Sequence, residues 1–269
     1  MDYASNARSP ADRSSVASGY PRLVTASSSP GSGSASGLVV ALDGPASSGK
    51  SSVGAAAAVA LRYRFCDTGL LYRAATWLAL KRDVPPDGDP ATLVGLVPEI
   101  DLIPDASGRL AHVSVDGEDV TDDVHTPIVD ENVSAVSRVP ELRAALLERQ
   151  RSMAREPGGI IMAGRDIGTV VLPDADLKIF LDASAEERAR RRAEERGFAP
   201  DSPEARQILA QLGERDDLDR NRSVAPLRPA EDAIHIVTDG NEFEDTVAAV
   251  VAAIREAEAR LSVAPGGRA

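Results

Sequence analysis

Near the start of the chain's first apolar run, Gly44-Pro-Ala-Ser-Ser-Gly49-Lys50-Ser51 fits the spacing G-x-x-x-x-G-K-[ST], a pattern built to hold phosphate. The glycines let successive backbone N–H groups curl around phosphate oxygens, and the N-terminus of a following helix adds its partial positive charge. In such a loop Lys50 reaches the β- and γ-phosphates of a nucleoside triphosphate, and Ser51 places a hydroxyl on Mg²⁺. The triphosphate-binding set is therefore Gly44, Pro45, Ala46, Ser47, Ser48, Gly49, Lys50 and Ser51, extended by Ser52. Lysine is rare in this chain, three residues against many arginines, so a lysine at this spacing is not simply what the composition supplies.

The loop calls for a triphosphate and leaves the acceptor open. Downstream, arginines gather in short strings: Asp67-Thr-Gly-Leu-Leu-Tyr-Arg73, Gly164-Arg-Asp-Ile-Gly-Thr169, Glu187-Arg-Ala-Arg-Arg-Arg192 and Arg215-Asp-Asp-Leu-Asp-Arg-Asn-Arg222. Guanidinium groups in such density suit phosphate recognition, because their planar fork donates two parallel charge-assisted bonds. For Arg190, Arg192 and Arg196 a solvated helix face paired with nearby glutamates is an equal reading. A guanine-nucleotide switch would carry an Asn/Thr-Lys-x-Asp element, and neither Lys81 nor Lys178 sits in one.

The elements that position these groups follow from hydrophobic periodicity. Short apolar runs at 38–42, 63–66, 159–163, 177–181 and 234–237 read as strands. Helical stretches follow Ser51 and cover 70–81, 141–155, 185–196, 203–220 and 243–261. Alternation of the two predicts an α/β domain with a parallel sheet covered on both faces. Between 85 and 127 the chain turns acidic and Pro/Gly-rich, and two alternating segments around Asp116-Gly117 predict a hairpin, read as a small inserted antiparallel lobe. The 36 residues before this domain are rich in Ser, Gly, Ala and Pro, which predicts a disordered tail. The domain itself is expected over 37–262, with a flexible end at 263–269.

At 269 residues with a net charge of −12, the chain is not a broad nucleic-acid binder, so an anionic ligand must be caught by a local cluster. Cys66 is the only cysteine, and the three histidines have no ligand-like spacing, which points to a reducing compartment and away from zinc. No run of about 18 apolar residues predicts a membrane span.

From about Leu38 to Leu261 the chain resembles the bacterial cytidylate kinase family. The likeness rests on the phosphate loop together with Asp67-Thr-Gly-x-x-Tyr-Arg73, Arg143-x-x-Leu-x-x-x-Gln-Arg151, Gly164-Arg-Asp-Ile-Gly-Thr-Val-Val-x-Pro-x-Ala175, Lys178-Ile-Phe-Leu-Asp-Ala183 and Arg215-Asp-x-x-Asp-Arg-x-Arg-x-x-Ala-Pro-Leu227. It implies a P-loop nucleoside-monophosphate kinase fold and transfer of the γ-phosphoryl group of ATP, with Mg²⁺, to CMP or dCMP. By the same resemblance Thr68, Arg73, Arg165 and Arg222 hold the acceptor's 5′-phosphate. Ser134, Arg143 and Asp166 read the base, and Arg215 and Asp219 meet the sugar. Lys50, Arg165, Arg188 and Arg222 carry the charge of the transfer, Arg188 and Arg192 from a short lid over about 185–203. Thr68 stands where the family commonly has serine, which keeps the hydroxyl and adds a methyl group.

Asp67 has two readings, one on the magnesium waters or Lys50 and one as a helix cap. Tyr72 and Trp77 read as core, and Cys66 as a packing residue. A monomeric cytoplasmic enzyme without nucleic-acid or membrane partners is expected. The competing readings are another small P-loop kinase, taking UMP, AMP, shikimate or dephospho-coenzyme A, and an ATP-binding regulatory protein that does not turn over.

Overall fold

In the computed structural model residues 37–263 are described; the tail expected over 1–36 and the end beyond 263 lie outside the described residues. Five parallel strands form the centre: β1 (Val39–Asp43), β2 (Arg64–Asp67), β6 (Ile160–Gly164), β7 (Leu177–Asp182) and β8 (Ile234–Val237). The expectations for all five hold to within two residues. β1 lies between β6 and β7, paired Val40 to Ile161 on one side and Val40 to Leu177 on the other.

Continuous apolar runs form β1, β2, β6 and β7 because both of their faces are covered, whereas β8 at the sheet edge is largely exposed. Along β1, Val40 and Leu42 face a core with α1 (Lys50–Leu61) and α8 (Phe243–Val263), while Ala41 faces the opposite core. That second core is built with α2 (Gly69–Lys81) and α5 (Pro140–Arg155). In β6 the alternation repeats, Ile160 and Met162 to one side, Ile161 and Ala163 to the other. A third, smaller cluster joins Ala46 of the phosphate loop to α6 (Ala185–Glu195) and α7 (Pro203–Asn221) through Ala189, Ala193, Ile208 and Leu212.

The segment from 85 to 127 holds α3 (Pro90–Gly95) and the antiparallel strands β3 (Ile100–Pro104), β4 (Arg109–Val115) and β5 (Glu118–Asp119). Asp116 (φ 51°) and Gly117 (φ 80°) are both left-handed, the backbone a two-residue hairpin turn requires. The longer pairing is β3 with β4, which sequence alternation alone does not single out. Because Phe65 and Cys66 of β2 pair with Arg109 and Leu110 of β4, the antiparallel segment continues the main sheet, in the order β3-β4-β2-β6-β1-β7-β8.

Two further elements carry site residues. Helix α4 (Pro127–Val136) buries Val129, Val133 and Val136 and starts on a proline at its first turn, a position where the missing N–H costs nothing. After β6, Ile167–Val171 forms one π-helical turn, a wide turn often found at functional sites. No helix among the described residues is long and apolar enough to cross a membrane.

Candidate active site

The loop between β1 and α1 is shaped for a bound anion by steric necessity. A Cβ on Gly44 would stand 2.2 Å from the Leu181 carbonyl oxygen and 2.8 Å from Ser48 Oγ, so only glycine fits. Left-handed backbone at Ser47 (φ 57°) and Gly49 (φ 89°) curls the chain so that N–H groups converge. Lys50 is buried, and its Nζ donates to the Pro45 carbonyl at 2.9 Å. Burial first, and the nearby Arg165 guanidinium second, pull its ammonium well below the ordinary lysine value. A desolvated cation with one carbonyl partner is stabilised when an anion arrives.

Ser48 Oγ is buried without a hydrogen-bond partner among the described residues, an acceptor-seeking hydroxyl inside the phosphate cradle. Ser51 Oγ donates to Asp67 Oδ2 at 2.5 Å. Asp67 Oδ1 accepts the Gly69 N–H at 2.9 Å, so this carboxylate caps α2 and touches the loop at once. A hydroxyl and a carboxylate are the hard oxygen donors that suit Mg²⁺, a cation that leans on one or two protein oxygens, its own waters and substrate phosphates.

A second concavity is lined from five stretches of chain. Asp67, Thr68, Tyr72 and Arg73 come from β2 and α2; Val133 and Ser137 from α4 and its end; Arg143 from α5; Arg165 and Asp166 from the turn after β6; Arg215, Asp219 and Arg222 from α7 and its end. Five arginines face three carboxylates there, a local positive excess in an acidic protein. Asp166 is the hub: its Oδ2 accepts from Arg143 Nη2 at 2.6 Å and its Oδ1 from Arg222 Nη2 at 3.2 Å. Each carboxylate oxygen retains a lone pair for a ligand N–H. Arg165 Nε donates to Asp219 Oδ2 at 2.9 Å. Burial pushes the Asp219 carboxyl up, but Arg165, Arg215 and Arg222 outweigh it and hold it below the usual carboxylate range.

Arg215 is different. Its Nε is buried with no hydrogen-bond partner among the described residues, and burial, with Arg165 next, pulls its guanidinium down to about 10. A cation in that state favours an incoming anion or hydroxyl oxygen.

The turn that carries Arg165 and Asp166 is pinned from β1. Asp43 accepts the Ile167 N–H at 2.8 Å and the Gly168 N–H at 2.7 Å. Burial raises its carboxyl to about 6 against the pull of those two bonds.

Of the residues expected to meet an acceptor, Thr68, Arg73, Arg143, Arg165, Asp166, Arg215, Asp219 and Arg222 all line this cleft, and Ser134 does not; Ser137, one turn on, does. Thr68 Oγ1 donates to the Ala163 carbonyl at 2.9 Å. Arg188, expected on a lid, is 2% exposed and lies outside the cleft lining. Its guanidinium donates to the Ala183 carbonyl, to the Ala46 carbonyl of the phosphate loop at 3.2 Å, and to Asp216 at 2.6 Å. Burial of α6 against Ala46 and α7 leaves that side chain no path outward in this conformation.

Sequence reasoning missed Asp43, Asp130, Asp216 and the cleft-facing role of Tyr72, whose ring lies 5.2 Å from the Arg143 guanidinium carbon. Asp216 was legible only as one more acid in an acidic helix. Tyr72 is buried, as expected of core, and also forms part of the cleft wall.

Comparison with known proteins places these features in a family. Residues 40–256 match the model of the family described as Cytidylate kinase. A cytidylate kinase of Pelotomaculum thermopropionicum is 44% identical over 219 residues, covering 80% of this chain and 95% of that protein. One from Desulforamulus reducens is 44% identical over 212 residues, with 79% and 94% covered. A bifunctional pantoate ligase/cytidylate kinase of Synechococcus sp. (strain CC9902) is 46% identical over 222 residues, and this chain spans 45% of its length.

Proposed function

The chain belongs to the cytidylate kinase family, and on that premise we propose that it transfers the γ-phosphoryl group of ATP to CMP or dCMP, giving ADP and CDP or dCDP. The observation that carries this reading is the cleft itself: an arginine-rich wall with a partnerless buried Arg215 Nε, an acidic hub at Asp166, and a phosphate loop beside it.

In this reading Gly44 to Ser52 hold the triphosphate of ATP, and Lys50 meets its β- and γ-phosphates. Thr68, Arg73, Arg165 and Arg222 hold the acceptor's dianionic 5′-phosphate, where several charge-assisted bonds converge. Asp166, held between Arg143 and Arg222, faces the base. Cytosine presents an exocyclic amine donor where uracil presents an acceptor, so a carboxylate selects cytosine. Asp219 and Arg215 meet the sugar, and we assign to Ser137 the polar contact at the base that resemblance assigns to Ser134.

An oxygen of the acceptor phosphate attacks the γ-phosphorus, a new P–O bond forms, and the bond to the β,γ-bridging oxygen breaks to release ADP. That phosphate is largely ionised near neutral pH, its second pKa being about 6, so no general base is needed. Lys50, Arg165 and Arg222 offset the charge that spreads over the transferring group. Ser51, with Asp67 beside it, would hold Mg²⁺, which when bound neutralises charge on the β- and γ-phosphates.

We place the moving lid in the loop from Gly197 to Ser202, since α6 is packed against the phosphate loop and α7 through Arg188, Ala189 and Ala193. Arg188 in this account braces the phosphate loop. The lone buried thiol of Cys66 suits a reducing compartment, and we read the enzyme as a cytoplasmic monomer.

The test is Mg²⁺-dependent ADP formation with CMP, dCMP, UMP, AMP and shikimate offered separately. Turnover on the cytosine nucleotides well above the others is expected. Turnover on another acceptor alone would sink the acceptor assignment, and silence on all would return the chain to a non-catalytic ATP-binding role.

A further inference from the structure

One carboxylate outside the expected site collects three arginines. Asp130, in the first turn of α4, accepts from Arg73 Nη2 on Oδ1 at 2.5 Å. Its Oδ2 accepts from Arg192 Nη2 at 3.1 Å and from Arg196 Nη2 at 3.3 Å. Arg73 lines the acceptor cleft, whereas Arg192 lies in the last turn of α6 and Arg196 caps its end. Three chain segments far apart in sequence therefore meet on a single side chain.

Burial decides how much weight each pair carries. The Asp130 and Arg73 side chains are 18% and 17% exposed, so their pair is poorly screened, while Arg196 at 38% is close to an ordinary surface contact. Burial pushes the Asp130 carboxyl up, and Arg73, Arg192 and Arg215 together hold it below the usual range, so it is a carboxylate at neutral pH. Burial, and then the Arg73 guanidinium, hold the His125 imidazole below its ordinary value, with Asp67 and Asp130 pulling the other way.

Arg73 has two anchors, Asp130 and the Val124 carbonyl at 3.0 Å. Two fixed bonds set the plane of a guanidinium and leave its other N–H donors for an anion. From this geometry, and resting on the acceptor-phosphate role proposed above for Arg73, we propose that Asp130 is a positioning residue that couples the end of α6 to the acceptor phosphate through Arg73. The carboxylate touches no reacting atom. It aims Arg73 and holds Arg192, so the orientation of one and the placement of the other share an anchor.

The test compares Asp130→Asn and Asp130→Glu with the wild type, measuring KM for CMP, KM for ATP and thermal midpoint. Asp130→Asn is expected to raise the KM for CMP about tenfold, the effect of one lost bond to a charged group, with the KM for ATP within about twofold and the midpoint nearly unchanged. Asp130→Glu should recover part of the loss.

In a double-mutant cycle, Arg192→Gln should raise the KM for CMP on its own and add little once Asp130 is Asn. Unchanged KM for CMP in Asp130→Asn, or additive effects in the cycle, would overturn the proposal. So would parallel movement of both KM values and the midpoint, which marks a structural role. If Asp130→Asn does not fold, the Arg192→Gln/Arg196→Gln variant keeps the Asp130–Arg73 pair and must itself raise the KM for CMP; no change there overturns the coupling. A wild type silent on CMP in the same assay would instead defeat the functional reading beneath it.

Discussion

The phosphate loop and the acceptor cleft solve the same problem, holding anions in an acidic protein, by opposite means. The loop is local: Lys50 bonds to the carbonyl of Pro45 and Ser52 to that of Gly49, all within one strand-to-helix turn. The cleft is assembled from a distance, with Asp166 tied to Arg143 and to Arg222, 23 and 56 residues away. In the loop the charge is carried by one lysine and by backbone N–H groups that belong to the fold. In the cleft, side-chain charge is spread over arginines that carboxylates hold in place. Chemistry common to every triphosphate user can live in a contiguous motif, while selection of one acceptor needs groups that only the tertiary fold brings together.

Substitutions on the two sides should therefore fail differently. The largest effect is expected at Lys50: Lys50→Ala should lower kcat by about three orders of magnitude, read by single-turnover ADP formation, with little loss of fold, since burial already penalises that ammonium. A comparable turnover loss with a collapsed thermal midpoint would mean the lysine is structural.

Next comes the joint between the regions. Arg188→Ala leaves Asp216, 3% exposed and with one oxygen unpartnered among the described residues, only the exposed Arg220 at 3.9 Å, and should cost about 3 kcal/mol in denaturant unfolding, while kcat below the new midpoint stays within a few fold. Lost kcat at unchanged stability would restore Arg188 to the transfer chemistry.

On the cleft side alone, Arg143→Gln should raise the KM for CMP by about one order of magnitude or more, leaving the KM for ATP unmoved. A matching rise in both would erase the division between the regions.

The smallest predicted effect is at Asp43, which links β1 to the turn carrying Asp166. Burial raises its folded-state value to about 6, above the ordinary aspartate value of 3.8. A raised carboxyl stabilises the fold below its unfolded value, and that contribution is lost as pH rises through the folded one. Between pH 5 and 7.5 the wild type should lose about 1 kcal/mol from this group, a fall absent from Asp43→Asn when the two are compared in denaturant melts at each pH.

The same contrast explains what could be read before the fold was known. The central strands were legible from apolar runs, because both of their faces are covered and the pattern is unbroken, and the long helices from their composition between those runs. Helix α4 was not: Val129, Val133 and Val136 are β-branched, and Pro127 looked like the end of a loop when it is the first turn of a helix. Strand β3 was hidden for a similar reason, since its partner is chosen by the sheet edge it joins.

In the site, the loop stood out by spacing alone, and the cleft arginines by their strings. Their partners did not stand out. Nothing local marks Asp130 as the anchor of Arg73, Asp216 as that of Arg188, or Asp43 as the acceptor for two backbone N–H groups. Each is one acid among 42 acidic residues, and only long-range packing selects it. Ser134 and Ser137 show the remaining ambiguity, one helical turn apart, with the cleft taking the second.

In the proposed reaction the cleft, through Asp166, chooses the acceptor base while the loop is indifferent to it. The most direct test is the ratio of kcat/KM for CMP over UMP in the wild type and in Asp166→Asn, which keeps one acceptor oxygen for Arg143 or Arg222 and offers uracil a donor. A strong CMP preference is expected in the wild type, and a ratio lowered by about tenfold or more in the variant, with the KM for ATP unchanged. A ratio that survives the substitution would contradict this, and base selection would then have to lie elsewhere in the cleft.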